Sequence, residues 1–248
     1  MTGPRRVIGL HAARSTLENT PDRVVAAWVD AQRSDAKLTE LRRLLGSLGI
    51  RVHSSSRKQL DQLTDRQNHQ GIVLEVEMPG ESTEDDLWKA VDGLVQPAFF
   101  LVLDHVQDPH NLGACLRSAD GAGAHGVILT KDQSVGMTPA VAKVASGAAE
   151  TMPVYRVTNL ARVLEGFKER NIWVVGAAGE ADKTAYEADL NLPLVLVVGA
   201  EGKGLRRLTR ETCDFLVKLP MLGAVESLNL SVATGILLYE ALRQRGRC

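Results

Sequence analysis

Glu226, Ser227, Asn229 and Ser231 crowd the stretch AVESLNLSVATG (224–235), directly ahead of an apolar helical pattern, ILLYEAL. One hydroxyl or amide is enough to cap a helix, so this set exceeds what capping needs and points to a binding site. Ser227, Asn229 and Ser231 alternate with Leu228, Leu230 and Val232, so one face offers polar groups while the other packs. Ser231 is read as the capping residue, and the free N–H groups of the helix start add further donors.

Two other stretches carry similar chemistry. In VVGAEGKGLRRLT the glycines would let a ligand approach the backbone. It is neither a P-loop nor GxGxxG, because Gly199 and Gly202 are too close and Lys203 is followed by Gly204. Glu201 between these glycines is hard to explain as surface filler, although the glycines alone fit a tight turn. In LDHVQDPHNLGACLRSADGAG, Asn111 occupies an expected helix N-cap, and Arg117 sits among Ala114, Cys115, Leu116 and Ala119. Those neighbours predict a buried Arg117 with a partner, since an unpaired buried charge is costly. The partner is either structural, Asp104 or Asp120, or a bound phosphate or substrate. His105 and His110 read as loop residues.

These stretches need strand ends to hold them. Between 98 and 248, strand and helix patterns alternate. AFFLVLD, GVILT, PVYRV, NIWVVGAA, LVLVVGA and FLVKLP read as strands, with helices over NLGACLRSADGAGA, TPAVAKVASGAA, NLARVLEGFKER, GLRRLTRETC and 230–245. Continuous apolar strands separated by helices predict an open parallel sheet covered on both faces, with ligands beyond the carboxyl ends of its strands. Residues 1–76 form a smaller α/β unit: a strand at VVAAWV, a helix at 36–49, strands at IRVHSSS and GIVLEVE, and a helix at SRKQLDQLT between them. Residues 77–97 read as a linker with an acidic helix capped near Ser82-Thr83.

The 248 residues are 44% hydrophobic, 24% charged and 4% aromatic, with a formal net charge of −1. Net charge is therefore silent on nucleic acid, but its distribution is not. Residues 1–76 hold 12 Lys/Arg against 8 Asp/Glu, and residues 77–97 hold 1 against 6. A basic N-terminal lobe suits RNA phosphates; a solvated face is the other reading. Cys115, Cys213 and Cys248 have no zinc spacing and imply no disulfide framework. No apolar run reaches the ~20 residues of a membrane span, and MTGPRRVIGLHA lacks a signal-peptide core. A cytoplasmic setting is expected.

Together the three stretches resemble the motifs of the SpoU (TrmH-type) RNA ribose 2′-O-methyltransferases of the SPOUT class. The matching residues are DxxQDPHNLGAxxRSA (104–119), VGAEGxGL (198–205) and LPMxGxxxSLNLSVA (219–233). Residues 1–76 resemble the L30e-like substrate-binding domain that precedes the catalytic domain in some members. The resemblance implies a homodimer, a C-terminal trefoil knot in the parallel-sheet α/β domain, and S-adenosylmethionine as methyl donor without a metal. It carries over Asn111, Arg117, Glu201, Ser227 and Asn229 as catalytic. Gly199, Leu219 and Leu228 are carried over as cofactor-binding, with Glu201, Met221 and Gly223 close by. Glu226 falls in a variable part of the motif and is not carried over.

The implied reaction is methyl transfer to a guanosine 2′-hydroxyl in 23S ribosomal RNA. Alternatives are another rRNA or tRNA nucleotide, or an RNA-binding assembly factor without catalysis. A dinucleotide oxidoreductase would need the GxGxxG that is absent. Arg117 would act as a cationic anchor rather than a base, because guanidinium stays protonated in proteins. Asn111, Ser227 and Asn229 would orient the ribose, and Glu201 would hold the geometry or accept a proton.

Overall fold

The computed structural model describes residues 4–77 and 80–246, so Cys248 lies outside the described residues. The chain divides into two compact units, Met1–Gly80 and Glu81–Cys248.

In the first unit, β1 (Arg5–Ile8), α1 (Leu10–Asn19), β2 (Val24–Asp30), α2 (Ala36–Ser47), β3 (Val52–Ser55), α3 (Arg57–Leu63) and β4 (Ile72–Val76) follow one another. The sheet order is β1-β4-β2-β3. β4 runs antiparallel to β1 and β2, β3 parallel to β2. Leu38, Leu41 and Leu45 of α2 and Ala13 and Leu17 of α1 pack on Ala27, Val29, Ile72, Leu74 and Val76. Each of the leucine, isoleucine and valine side chains contributes about 1.5–3 kcal/mol when fully buried. Asp35 caps α2 by accepting from the Leu38 N–H, and Gly49 (φ +68°) lets the chain leave it. Ser56 and Gln59 form a reciprocal capping box at α3. β1 and α1 have no counterpart in the periodicity reading.

The second unit opens with α4 (Glu84–Asp92), capped by Thr83, as the Ser82-Thr83 signal predicts. It continues with β5 (Phe99–Asp104), α5 (Pro109–Gly121), β6 (Gly126–Thr130), α6 (Pro139–Ala145), α7 (Ala148–Thr151), β7 (Val154–Val157), α8 (Leu160–Lys168) and β8 (Trp173–Ala177). It ends with β9 (Lys183–Thr184), β10 (Leu194–Gly199), α9 (Arg207–Thr212), β11 (Phe215–Lys218) and α10 (Leu230–Gln244). The described sheet has order β7-β6-β5-β10-β8-β11-β9, every pair parallel. All six residues of β5 and of β10 are buried, which their unbroken apolar runs require. Leu87 and Val91 of α4 and Leu160, Val163, Leu164 and Phe167 of α8 pack on Phe100, Val102, Val195 and Val197.

The helix expected over TPAVAKVASGAA is two helices. Thr138 and Pro139 start it as predicted, but Ser146 adopts φ +54° and ends α6 before α7 begins. α5 and α6 approach closely because residue 113 is glycine. A Cβ there would lie 2.6 Å from Val144 Cβ and 2.8 Å from the Val141 carbonyl oxygen. Among the described residues, no helix is long and apolar enough to cross a membrane.

Candidate active site

β5 and β10 are neighbours in register, with Asp104 opposite Gly199, so the chain leaves both strands at the same end of the sheet. The segment after β10 doubles back at once. A bridge joins Ala200 to Gly204, and Gly202 and Gly204 take φ of +73° and +64°. Gly199 must be glycine, since a Cβ there would sit 2.1 Å from the Gly204 carbonyl carbon. The turn exposes Glu201 toward the start of α5.

Asp108, not Asn111, caps α5, accepting from the His110 N–H at 2.9 Å. Pro109 takes the first helical position, where no N–H is needed. Asn111 is thereby released from capping and lies in the first turn, only 7% exposed. Its Nδ2 donates to Glu201 Oε2 at 3.3 Å, and its Oδ1 accepts from Asn229 Nδ2 at 3.0 Å.

Asn229, not Ser231, caps α10. Its Oδ1 accepts from the N–H groups of Ser231 (2.9 Å) and Val232 (3.4 Å) and from the Ser231 hydroxyl (2.7 Å). The helix begins at Leu230, two residues earlier than a Ser231 cap allows, so the short amide of Asn229 reaches the orphan donors first. These bonds fix the orientation of both amides. With Asn229 Oδ1 committed to the helix N–H groups, its NH2 must face Asn111, and the Asn111 NH2 must then face the Glu201 carboxylate. One polar chain thus joins three segments that are 90 and 118 residues apart in sequence.

Arg117 departs from expectation: it is exposed, with no ion pair or hydrogen bond among the described residues. The buried stripe of α5 is Asn111, Leu112, Cys115, Leu116 and Ala119, and Arg117 projects outside it. Its expected partners are otherwise engaged. Asp120 accepts from the Thr151 hydroxyl at 2.7 Å. Asp104, 1% exposed, receives Arg206 Nε at 2.9 Å, the Arg206 backbone N–H at 3.2 Å and His105 Nδ1 at 2.7 Å. This Asp104–Arg206 pair ties the turn after β10 to the end of β5. Nothing in the sequence separates Arg206 from its neighbour Arg207, whose partner is Glu211 on the surface. His105 adopts φ +67° beside Asp104.

The third stretch forms an irregular loop. Leu219, Met221 and Leu228 are half-buried, Ser227 is exposed, and nothing lies within 4 Å of a Cβ built on Gly223. Among the described residues, residues 219–228 make no hydrogen bond, so their backbone donors and acceptors stay available. Half-covered apolar side chains beside free backbone groups fit an adenine ring, whose edge needs donors and acceptors and whose faces need apolar contact. Cys115 and Cys213 offer no nucleophile, because burial pushes both thiols up to about 12. Among the described residues, no three His, Cys, Asp or Glu side chains are grouped to hold a metal ion.

Comparison with known proteins finds two family models that match: the SpoU rRNA Methylase family over residues 98–239, and RNA 2'-O ribose methyltransferase substrate binding over residues 6–82. The 23S rRNA (guanosine-2'-O-)-methyltransferase RlmB of Shewanella oneidensis is 51% identical, covering 96% of this chain and 97% of that protein. Its counterpart in Escherichia coli K12 is 50% identical over 96% and 98%. Among solved structures, the SpoU methyltransferase AviRb from Streptomyces viridochromogenes in complex with AdoMet aligns with a TM-score of 0.78 at 27% identity, covering 98% and 91%. An AdoMet-bound rRNA methyltransferase from Sinorhizobium meliloti aligns at 0.76 and 25%, covering 97% and 87%.

Proposed function

The chain belongs to the SpoU rRNA methylase family, and from that membership we propose that it methylates the ribose 2′-hydroxyl of a guanosine in 23S ribosomal RNA, using S-adenosylmethionine. Its similarity to the RlmB enzymes, about half of all residues over nearly the full length of both chains, supports the guanosine target. The observation that carries the reading is the chain Glu201–Asn111–Asn229, which makes one polar site from three strand-end segments. The first unit holds RNA and the second carries the chemistry, in the knotted arrangement that membership implies. The enzyme works in the cytoplasm, where ribosomal RNA is assembled.

Bound S-adenosylmethionine supplies a methyl group already activated on a sulfonium, so the nucleophile sets the barrier. Gly199, Leu219, Met221, Gly223 and Leu228 hold the cofactor through backbone groups and apolar contact. Ser227 and Asn229 face the ribose. Asn111 holds the Glu201 carboxylate, which would accept the 2′-hydroxyl proton as that oxygen becomes the nucleophile. Arg117 stays protonated and stabilises the developing alkoxide or the adjacent phosphate. Its lack of an internal partner supports this, since its charge is left for the substrate.

We further propose a homodimer. α10 leaves Val232, Ile236 and Tyr239 exposed by 50%, 36% and 50%, an apolar stripe on a helix whose other side is buried. α5 packs alongside that helix: Ser118, next to Arg117, faces Gly235, and the Tyr239 hydroxyl meets Gly121, one turn beyond Arg117. We assign the exposed Arg117 to the partner's site across the dimer.

Arg117→Lys tests the role of the guanidinium. Under single-turnover conditions with saturating RNA, the methylation rate should fall about 10²–10³-fold, the usual cost of losing one transition-state contact. An unchanged rate would remove Arg117 from the mechanism.

A further inference from the structure

One of the two edges of the first unit's sheet, the β3 edge, carries a second cluster that the methyl-transfer site does not use. β2 lies on the only paired side of β3. Trp28 on β2 and His53 on β3 are register partners, and their rings stack at 5.2 Å with planes 16° apart. Both side chains are half-buried, and the ring ladder stops at His53 because no strand follows. Around it, residues 41–60 contain 5 Lys/Arg and no Asp or Glu. Arg42 is tied to the Asp30 carbonyl. Arg43, Arg51, Arg57 and Lys58 are exposed and, among the described residues, have no ion-pair or hydrogen-bond partner. Elsewhere on this unit, Arg14 and Arg33 pair with carboxylates. Arg51 lies two residues before His53, so its side chain leaves the strand on the same face as the rings.

We propose that this edge is a stacking platform for an unpaired base of the RNA substrate. The base continues the Trp28–His53 ladder on the outer face of His53, and Arg51, Arg57 and Lys58 contact the flanking phosphates. Unpaired bases are held in this way, by aromatic faces with cations along the backbone, whereas duplex RNA offers no free base face. The absence of any carboxylate from this stretch favours a polyanion over a protein strand as the occupant. The proposal rests on the assignment of ribosomal RNA as substrate.

The test uses the full chain with two probes, a single-stranded oligouridine of about twelve nucleotides and an RNA duplex of the same length, followed by fluorescence anisotropy. His53→Ala should weaken oligouridine about tenfold and leave the duplex nearly unaffected, and His53→Tyr should restore binding. Arg51→Gln should weaken both probes and lower the salt dependence of oligouridine binding by about 0.7 in the log–log slope. In methyl transfer to unmodified 23S rRNA, His53→Ala should raise KM for RNA far more than it lowers kcat. If His53→Ala binds oligouridine as the wild type does, the platform is wrong and the open edge is left for a protein strand. Equal losses on both probes would also overturn it. A wild-type chain that fails to methylate 23S rRNA, while His53→Ala still loses oligouridine, overturns the functional reading and leaves the platform standing.

Discussion

Asn229 does two jobs with one amide: its oxygen caps α10 and its nitrogen orients Asn111. The two can be separated. Asn229→Asp keeps a good cap but turns an acceptor toward Asn111 Oδ1, so the Asn111 amide rotates and presents its oxygen to Glu201. The variant should melt within a few degrees of the wild type while kcat falls about 100-fold, the lower end of what positioned proton transfer contributes. Parallel melting and single-turnover measurements check this, and equal losses in both would refute it. At this scale much was legible. Glu201 stands out between glycines and Asn229 among alternating leucines, while Asn111 reads only as a helix N-cap, a role that Asp108 takes. What the sequence hid was geometry. Ser231 and Asn229 are equally good caps on paper, and only the start of the helix at Leu230 decides between them. Arg117 looked buried because its neighbours are small and apolar, yet helical rotation carries it off the buried stripe. The Asp104–Arg206 pair spans 102 residues and leaves no local trace.

The elements that carry these residues are held by close backbone approaches. Gly199→Ala would drive a Cβ into the Gly204 backbone, where no side chain can yield. It should destabilise the protein by about 1–3 kcal/mol, and S-adenosylmethionine binding, measured by equilibrium dialysis, should fall more than stability does, because the turn itself is displaced. α10 carries an acid-sensitive anchor. Side-chain hydrogen bonds from Arg243, and then Gln244, hold the Glu240 carboxyl below the usual carboxylate range. A depressed folded value stabilises above the unfolded value, near 4.3, and the benefit is lost as pH falls through the folded one. Wild type should therefore melt above Glu240→Gln at pH 7, and the gap should close as pH is lowered from about 5 to about 3. A gap that stays constant in thermal melts would dismiss Glu240 as the titrating group. Most elements of the second unit could be read from apolar runs, because strands buried on both faces need them. The break between α6 and α7 could not, since Ser146 takes its left-handed turn without a glycine of its own. β9, two residues at the sheet edge, has no periodicity to read.

For the whole molecule, the apolar stripe on α10 predicts assembly. Ile236→Glu should convert the protein to a monomer in sedimentation and abolish turnover, because Arg117 then has no site to serve. Complementation gives the sharper measurement. Arg117→Ala and Asn229→Ala chains, each inactive alone, should recover about a quarter of wild-type activity when mixed equally and allowed to exchange. Half of the dimers are then mixed, and one of their two sites is intact. No recovery would place Arg117 in its own chain's site. A division into two units was legible in the charge distribution, but the acidic helix, read as part of a linker over 77–97, packs Leu87 and Val91 into the core of the second unit, which begins at Glu81. The sheet order was not legible, because β10 inserts between β5 and β8 through contacts that no local pattern records.

The reach of the Asn111–Asn229 contact has a temporal consequence. Its partners are 118 residues apart, and the second belongs to the start of the last helix. Closing so long a stretch of chain costs entropy that no local contact repays, so in refolding the Asn111–Asn229 contact should appear only when α10 packs against α5, after the local turns and helices have formed.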